Sequence, residues 1–444
     1  MDLRKNEIVK GIITDLNDDG QGVLKCDNEI VFVPNTIPGE EVEAVIIKSF
    51  SKYSIAKPTR FLKTSNCRTT PACPYFAKCG GCDIMHLPES TQVDFKTQKV
   101  ERTLKRVANI DCFVNKCISL NNTRYRNKIA LPISKSGEVG LFRKNTHSVI
   151  SVDDCIITEE WNKKLISCIN QYIKSSGISV YNEETKSGLL KFVVARTIEN
   201  NTLITLVING DKITKAELLI KLLKNSFNSF GLNLNINKLH NNVILSDKWQ
   251  HLHGLRVLPA KEFKITYPVS NASFYQINNE IKNAIYSNVL ENIENDCIVI
   301  DAYSGAGLLS GIISTKAKAC YGIEIIKEAT ENANELKIKN KLNNLFNING
   351  DCTKELPKLV SKLKNEKIIV TLDPPRKGCD KKVLEAIINT NCEKIIYISC
   401  DPNSLARDLK TILDSGKFQI TSIQPYDMFP NTKHVETVAI ISKK

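Results

Sequence analysis

The alternation of apolar and polar residues changes character twice along the chain. Up to about Lys63 it comes in short runs: "EIVKGIITDL", "QGVLKC", "EIVFVP", "EEVEAVIIKSF" and "SIAKPTRFL". Successive side chains of a strand point to opposite faces, so a period of two marks half-buried strands. Asp-Gly, Asp-Asn and Pro-Gly pairs break the runs and supply the turns. Several short strands at this spacing predict a small closed barrel of the OB type over residues 1–63.

A cysteine-rich loop follows, and then a helix is predicted from about Thr91 to Val107. From about Asn122 to Val269 strand patterns ("LLKFVVARTI", "TLITLVING") mix with helical ones ("WNKKLISCINQYIKSS", "TKAELLIKLLKNSF"). That mixture predicts an α+β unit, here bounded at residues 64–269. From Ser270 the pattern becomes strand, helix, strand: "CIVIDAYSG", "ACYGIEII", "KIIVTLDPP", "KIIYISCDP". Such alternation predicts a doubly wound, Rossmann-like parallel sheet over 270–444, with ligands beyond the carboxyl ends of its strands. The expected fold is therefore multidomain α/β, and no internal repeat is evident.

Composition adds a location and a partner. At 42% hydrophobic and 25% charged the 444 residues are those of a globular protein. The N-terminus lacks an apolar signal core and no apolar run reaches membrane-spanning length, so a cytoplasmic protein without a membrane partner is expected. In that reducing compartment 15 cysteines form no disulfide scaffold, and a tight cluster among them points to metal or catalysis. Net charge is +13, with 18 Lys/Arg against 6 Asp/Glu between Ser51 and Ile150. A polyanion, most simply nucleic acid, fits that concentration.

Candidate chemistry lies in the last unit. Asp301-Ala-Tyr-Ser-Gly-Ala-Gly307 ends one apolar strand and Glu324 ends the next. Glycines let the chain turn under a ligand, and the acidic residue can accept from ribose hydroxyls. Ser310 stands where a dinucleotide fingerprint has its third glycine, which disfavours a pyrophosphate. S-adenosylmethionine, with a ribose and no pyrophosphate, fits better. Asp373-Pro-Pro-Arg-Lys-Gly378 places a carboxylate at the mouth of the same cleft. Asp-Pro-Pro turns also serve methyltransferases acting on exocyclic amines, but these follow with an aromatic residue where this chain has Arg376.

Cys400 ends the strand "KIIYIS" on that rim, where a thiol can act as a nucleophile. Methylation of carbon 5 of uracil needs one, because thiolate addition at carbon 6 makes the enolate that attacks a methyl donor. A base must then take the carbon 5 proton. Glu436, in "YDMFPNTKHVETVAII", can do so, with His434 expected on the same face of a strand.

Here the chain closely resembles the RNA uracil-5-methyltransferase family, the bacterial 23S ribosomal RNA and transfer RNA enzymes. "SFYQIN", "DAYSGAG", "GIEIIKEA", "TLDPPRKG", "YISCDP" and "DMFPNTKHVETV" match in the family's order. The resemblance implies Cys400 as nucleophile and Glu436 as base. It implies that Gln276, Tyr303, Glu324 and Asp373 bind S-adenosylmethionine, with Asp351 a weaker candidate for the adenine. It extends through the barrel, which resembles the TRAM module.

The spacing Cys73-x5-Cys79-x2-Cys82 gathers three thiolates around flexible glycines. The resemblance supplies Cys155 as a fourth ligand and implies a [4Fe-4S] cluster in the central unit; four thiolates also suit zinc. Cys67 is a nearby spare. The expected function is methyl transfer from S-adenosylmethionine to carbon 5 of a uridine, preferably in 23S ribosomal RNA, by a monomer. Methylation of transfer RNA, an amine-directed methyltransferase and a non-catalytic RNA-binding or assembly protein are the alternatives. The preference for ribosomal RNA rests on the transfer RNA enzymes' typical lack of both barrel and cysteine cluster.

Overall fold

A computed structural model describes residues 3–26, 29–363 and 366–444. The N-terminal strands close into a barrel in the order Ile8–Leu16, Gly22–Cys26, Glu29–Val33, Ser54–Lys63, Glu41–Ser49. Alternate residues Val9, Ile13, Leu24, Val31, Val42, Ala44 and Ile46 fill its interior, which is what a period of two requires of a closed sheet. The Asp27-Asn28 turn signal lies outside the described residues.

The predicted helix runs Glu89–Ala108 and ends on Asn109 in the left-handed region, φ 54. Chain position groups it with the central unit, but its apolar stripe packs elsewhere. Val93, Val100, Leu104 and Ala108 share a core with Leu405, Leu409 and Phe418 of the C-terminal unit. Lys96 on the same helix is buried and paired with Asp427. A buried charge stripped of its partner is strongly disfavoured, so this pair fixes the helix on the C-terminal unit.

The central sheet runs Trp249–Gly254, Phe230–Ile236, Asn201–Ile208, Leu190–Ile198, Lys128–Pro132. Its face is covered by Trp161–Ser176 and Ala216–Lys224, through Leu165, Ile169, Leu219 and Leu223. Beyond it the seven-stranded sheet runs Leu345–Asn349, Ala319–Glu324, Ile298–Ala302, Ile368–Leu372, Cys392–Ser399, Glu436–Lys443, Phe418–Tyr426. The first five are parallel, as predicted. The last two form an antiparallel edge that strand–helix alternation did not announce. The strand Phe418–Tyr426 brings the chain up to the strand tips, and Glu436 opens the last strand there, which runs back away from them. Among the described residues no helix is long and apolar enough to cross a membrane.

Candidate active site

Strand order reverses between Ile298–Ala302 and Ile368–Leu372, whose last residues are in register. Crevices of open α/β sheets form at such a switch. A cleft of about 860 Å³ opens here, lined by Tyr303, Glu324, Asp351 and Asp373 among others. Gln276 is not among its lining residues. Its segment is fastened to the central sheet, where Asn127 Nδ2 donates to the Gln276 carbonyl at 2.9 Å.

Backbone donors orient the acidic residue at the second strand's end. Glu324 accepts from the Gly305 N–H at 3.0 Å and from the Ile326 N–H at 2.8 Å. Its remaining lone pairs are available to a ribose diol. Gly305 has φ 54 and a Cβ there would meet nothing within 4 Å, so this bend faces open cleft. Ser310 donates to the buried Asp301 at 2.5 Å and Thr371 donates to its other oxygen at 2.7 Å. A glycine at 310 would remove one of these two donors. Burial still pushes the Asp301 carboxyl up to about 6. Asp351 caps the helix Cys352–Lys362, accepting from the Thr353 N–H at 2.9 Å, so part of its carboxylate serves the helix.

Cys400 sits where the strand Cys392–Ser399 gives way to the helix Pro402–Leu413. Asp401 caps that helix, accepting from the N–H groups of Asn403 at 2.8 Å and Ser404 at 3.0 Å. The turn leaves the thiol half-buried; neither it nor Glu436 lines the cleft itself, but it lies within electrostatic reach of Asp373, which does. Opposite the thiol, Glu436 opens the antiparallel partner strand and is only 6% exposed. Burial pushes Glu436 up to about 8, with Asp373 adding and Arg376 opposing. Burial also pushes Cys400 up to about 11, with Glu436 and then Asp373 adding and Arg376 opposing. Asp373 is pushed up to about 7 by desolvation and by Asp301. Its side chain is open to the cleft, so water moderates that push while the cleft is empty.

Sequence reading noted Arg376 only as the absence of an aromatic ring. In the fold it is a cation felt by Cys400, Glu436 and His434 alike. Its signal in the sequence was position alone, three residues beyond Asp373. His434, expected to share a strand face with Glu436, instead precedes the strand, which begins at Glu436. Pro430 and Asn431 turn the chain there, and the His434 ring meets the edge of Phe429 at 5.9 Å between centroids. A thiol, two carboxyls and a guanidinium gathered beside the cleft can add sulfur to an electron-poor double bond and remove a proton beside it.

The loop leading to Glu436 is anchored from outside its own unit. Asn431, with φ 67, accepts at its carbonyl from the N–H groups of Asp83 at 2.9 Å and Ile84 at 3.1 Å. Gln92 bonds both its backbone N–H and its side chain, at 3.0 and 3.2 Å. The Asp83 donor directly follows Cys82, so the cysteine loop buttresses the active-site loop.

Cys73, Cys79, Cys82 and Cys155 lie within electrostatic reach of one another and are partly buried, whereas Cys67 is exposed. Burial raises the pKa of Cys73, Cys79 and Cys82, and mutual repulsion with the other thiolates, Cys155 included, adds to it. The Gly81 N–H donates to the Cys79 sulfur at 3.3 Å, and Met85, Tyr125 and Ile157 form an apolar wall. Arg124 grips Asp154 with two bonds of 2.7 Å and also donates to the Cys155 carbonyl at 3.3 Å. Asn162 accepts from the Cys155 N–H at 2.9 Å. Among the described residues no group of three or more His, Cys, Asp or Glu side chains is arranged to hold a metal ion.

Comparison with known proteins fixes the family. Residues 89–444 match the family model of tRNA (uracil-5-)-methyltransferases, and residues 9–67 match that of the TRAM domain of tRNA (uracil(54)-C(5))-methyltransferase. The chain belongs to the RNA uracil-5-methyltransferase family. It is 35% identical to an uncharacterized RNA methyltransferase of Clostridium tetani, over 99% of this chain and 97% of that one. A Staphylococcus epidermidis relative of the same description is 33% identical over 100% and 99%. The fold matches the crystal structure of Pyrococcus abyssi tRNA (uracil-54, C5)-methyltransferase in complex with S-adenosyl-L-homocysteine, with TM-score 0.80, 24% identity and coverage of 98% and 100%. This methyltransferase therefore uses S-adenosylmethionine on a uracil carbon, and the amine-directed alternative falls. The first helix begins where the methyltransferase family match begins, at Glu89, in keeping with its packing on that sheet.

Proposed function

We propose that Cys400 and Glu436 carry out the chemistry of this RNA uracil-5-methyltransferase. The observation that carries the reading is their juxtaposition beside Asp373, which lines the cleft with Glu324. The Cys400 thiolate adds to carbon 6 of an extruded uracil, and the electron pair displaced from the ring's double bond makes carbon 5 nucleophilic. S-adenosylmethionine supplies the methyl group that carbon 5 takes. Glu436 then removes the carbon 5 proton, the double bond re-forms and the thiolate leaves. Arg376 favours the charged forms of both groups and so works against the burial that holds them protonated. Tyr303, Glu324, Asp373 and Gln276 hold the methyl donor in this reading. Gln276 requires its segment to close over the cleft.

A [4Fe-4S] cluster at the cysteine loop is part of this reading, supported by the mutual charge repulsion among Cys73, Cys79, Cys82 and Cys155. Cys73, Cys79, Cys82 and Cys155 would ligate it, with the Gly81 N–H on the Cys79 sulfur, and it would neutralise thiolates that otherwise repel. Because Asp83 props Asn431, a filled cysteine loop supports the loop that presents Glu436.

We propose 23S ribosomal RNA as substrate, on the strength of the cysteine loop. The barrel gives no support, since the TRAM model that it matches is described for a transfer RNA enzyme. That description favours a uridine of transfer RNA as the second reading. Mapping 5-methyluridine in ribosomal and transfer RNA from cells with and without the gene separates the two. A methyl group lost only from 23S ribosomal RNA supports the first; one lost only from transfer RNA overturns it.

A further inference from the structure

A second cavity, of about 360 Å³, lies on the central unit, away from the cleft that binds the methyl donor. Its volume is at the lower end of the range for small-ligand pockets. Phe142, His147, Phe192, Tyr181 and His240 line it, with Lys186, Asn242 and Glu183, which contacts His147, beside them. Scattered exposed aromatic residues need no explanation, but five rings gathered on one cavity mark a binding surface.

The cavity is held open by bonds between separate segments. Tyr181 and His240 lie with planes 9° apart and share a hydrogen bond of 2.7 Å between hydroxyl and Nδ1. Lys191 sits 4.6 Å over the Tyr181 ring and donates to the Leu239 carbonyl at 2.7 Å. Asn237, buried beneath the rim, donates to the carbonyls of Val243 at 2.7 Å and Ile244 at 2.9 Å. The rim is thus fixed before any ligand arrives, which lowers the cost of binding.

Position connects this cavity with the chemistry. Phe142 belongs to the hairpin whose next residue, Arg143, bridges to Cys79, and its carbonyl accepts from the Gly80 N–H at 3.0 Å. That cysteine loop in turn reaches Asn431, on the loop before Glu436. Lys78, Arg143 and Lys186 are exposed along this surface. Flat aromatic faces flanked by cations recognise an unpaired base and its phosphates, and the Asn242 amide offers both a donor and an acceptor to a base edge.

We propose that this cavity is a second base pocket, which takes an unpaired nucleobase of the RNA that presents the target uridine. The inference rests on an RNA substrate. With the target base extruded into the active site, a second captured base fixes the register of the strand between them.

A short single-stranded RNA of mixed sequence, with and without 4-thiouridine, is the probe for the full-length protein. Cross-links should map to peptides containing Phe142, Tyr181 or His240. Phe142→Ala and Tyr181→Ala should each weaken binding roughly five- to fifty-fold, as loss of one stacked base does, while Tyr181→Trp retains it. The slope of log affinity against log salt should stay unchanged in the alanine variants, since no phosphate contact is lost. Lys186→Glu, an exposed rim change that disturbs no packing, should weaken binding as well, and it keeps the test sound if Phe142→Ala misfolds. Wild-type protein that binds and methylates RNA, with variants of equal affinity and cross-links only elsewhere, overturns the pocket alone. Wild-type protein that holds S-adenosylmethionine but binds no RNA overturns the RNA reading and the pocket together.

Discussion

Cys400 and Glu436 face each other at the open end of one antiparallel strand pair. Ser399 is registered with Thr437, so the next residue of one strand meets the previous residue of the other. Both groups are held protonated by burial, Glu436 up to about 8 and Cys400 up to about 11, and Arg376 opposes both rises. The value of kcat/KM should therefore climb with pH through about 8 as Glu436 loses its proton and on toward about 11 as Cys400 becomes the thiolate, because this ratio reports groups of the free enzyme. Arg376→Ala should move that limb to higher pH and lower the rate at pH 7 about tenfold, one pKa unit being a factor of ten. A profile unchanged by Arg376→Ala would remove the guanidinium from the account.

The buried carboxyl also makes a stability prediction. An unfolded glutamate ionises near 4.5 and folded Glu436 near about 8. The raised pKa means that the folded state keeps a proton which the unfolded state loses between those values. Its contribution is thus full below pH 4.5 and declines until pH 8. Glu436→Gln cannot ionise and escapes the loss. Urea unfolding should find the variant more stable than wild type by about 1–3 kcal/mol at pH 9 relative to the difference at pH 5. A difference independent of pH would mean that the carboxyl is ionised throughout.

Positive charge in the segment from Ser51 to Ile150 divides into two kinds. Arg124 is committed to Asp154, Arg126 donates to the Lys128 carbonyl at 2.8 Å, and Lys128 donates to the Asn271 carbonyl at 2.8 Å. Burial pushes the Lys128 ammonium down to about 8. All three belong to the basic excess that the sequence suggests for a polyanion; the fold uses them as internal ties. Lys78 and Arg143 are exposed instead. Lys78→Ala and Arg143→Ala should each lower the slope of log affinity against log salt by about 0.7 to 0.9, one phosphate contact apiece. Arg124→Ala should leave the slope unchanged and loosen the Cys155 loop. The opposite assignment of slopes would show that the internal ties break when RNA binds.

The cysteine loop makes a prediction about composition. Protein prepared without oxygen should contain iron and inorganic sulfide and absorb broadly in the visible, and Cys79→Ser or Cys155→Ser should lose both. Cys67→Ser should keep them, since Cys67 is exposed while the other four are partly buried together. Stoichiometric zinc without sulfide would contradict the cluster.

Local signals account well for the barrel, the parallel strands and the cleft. Alternation along Ile8–Lys63 and the apolar strands ending at Ala302, Glu324, Leu372 and Ser399 depend on near neighbours, and they are visible in the sequence. What distant segments decide was not. The stripe Val93, Val100, Leu104 is a good helix face in any unit, and only the Lys96–Asp427 pair shows which sheet it covers. The reversal of Glu436–Lys443 and the turn that removes His434 from its strand likewise depend on Asn431 meeting Asp83 and Gln92. Arg376 needed the fold, because its three neighbours come from two other chain segments, around Cys400 and around Glu436.

The central claim is that sulfur adds to carbon 6 and a carboxylate clears carbon 5. A substrate RNA with 5-fluorouridine at the target tests it most directly, because fluorine cannot leave as a cation after methyl transfer. With S-adenosylmethionine, wild-type protein should run on a denaturing gel as a covalent complex with methylated RNA. Cys400→Ala should form none, and Glu436→Gln should accumulate an adduct even with natural RNA. Wild-type rates of uridine methylation by Cys400→Ala would contradict the account and return the thiol to the role of a core residue.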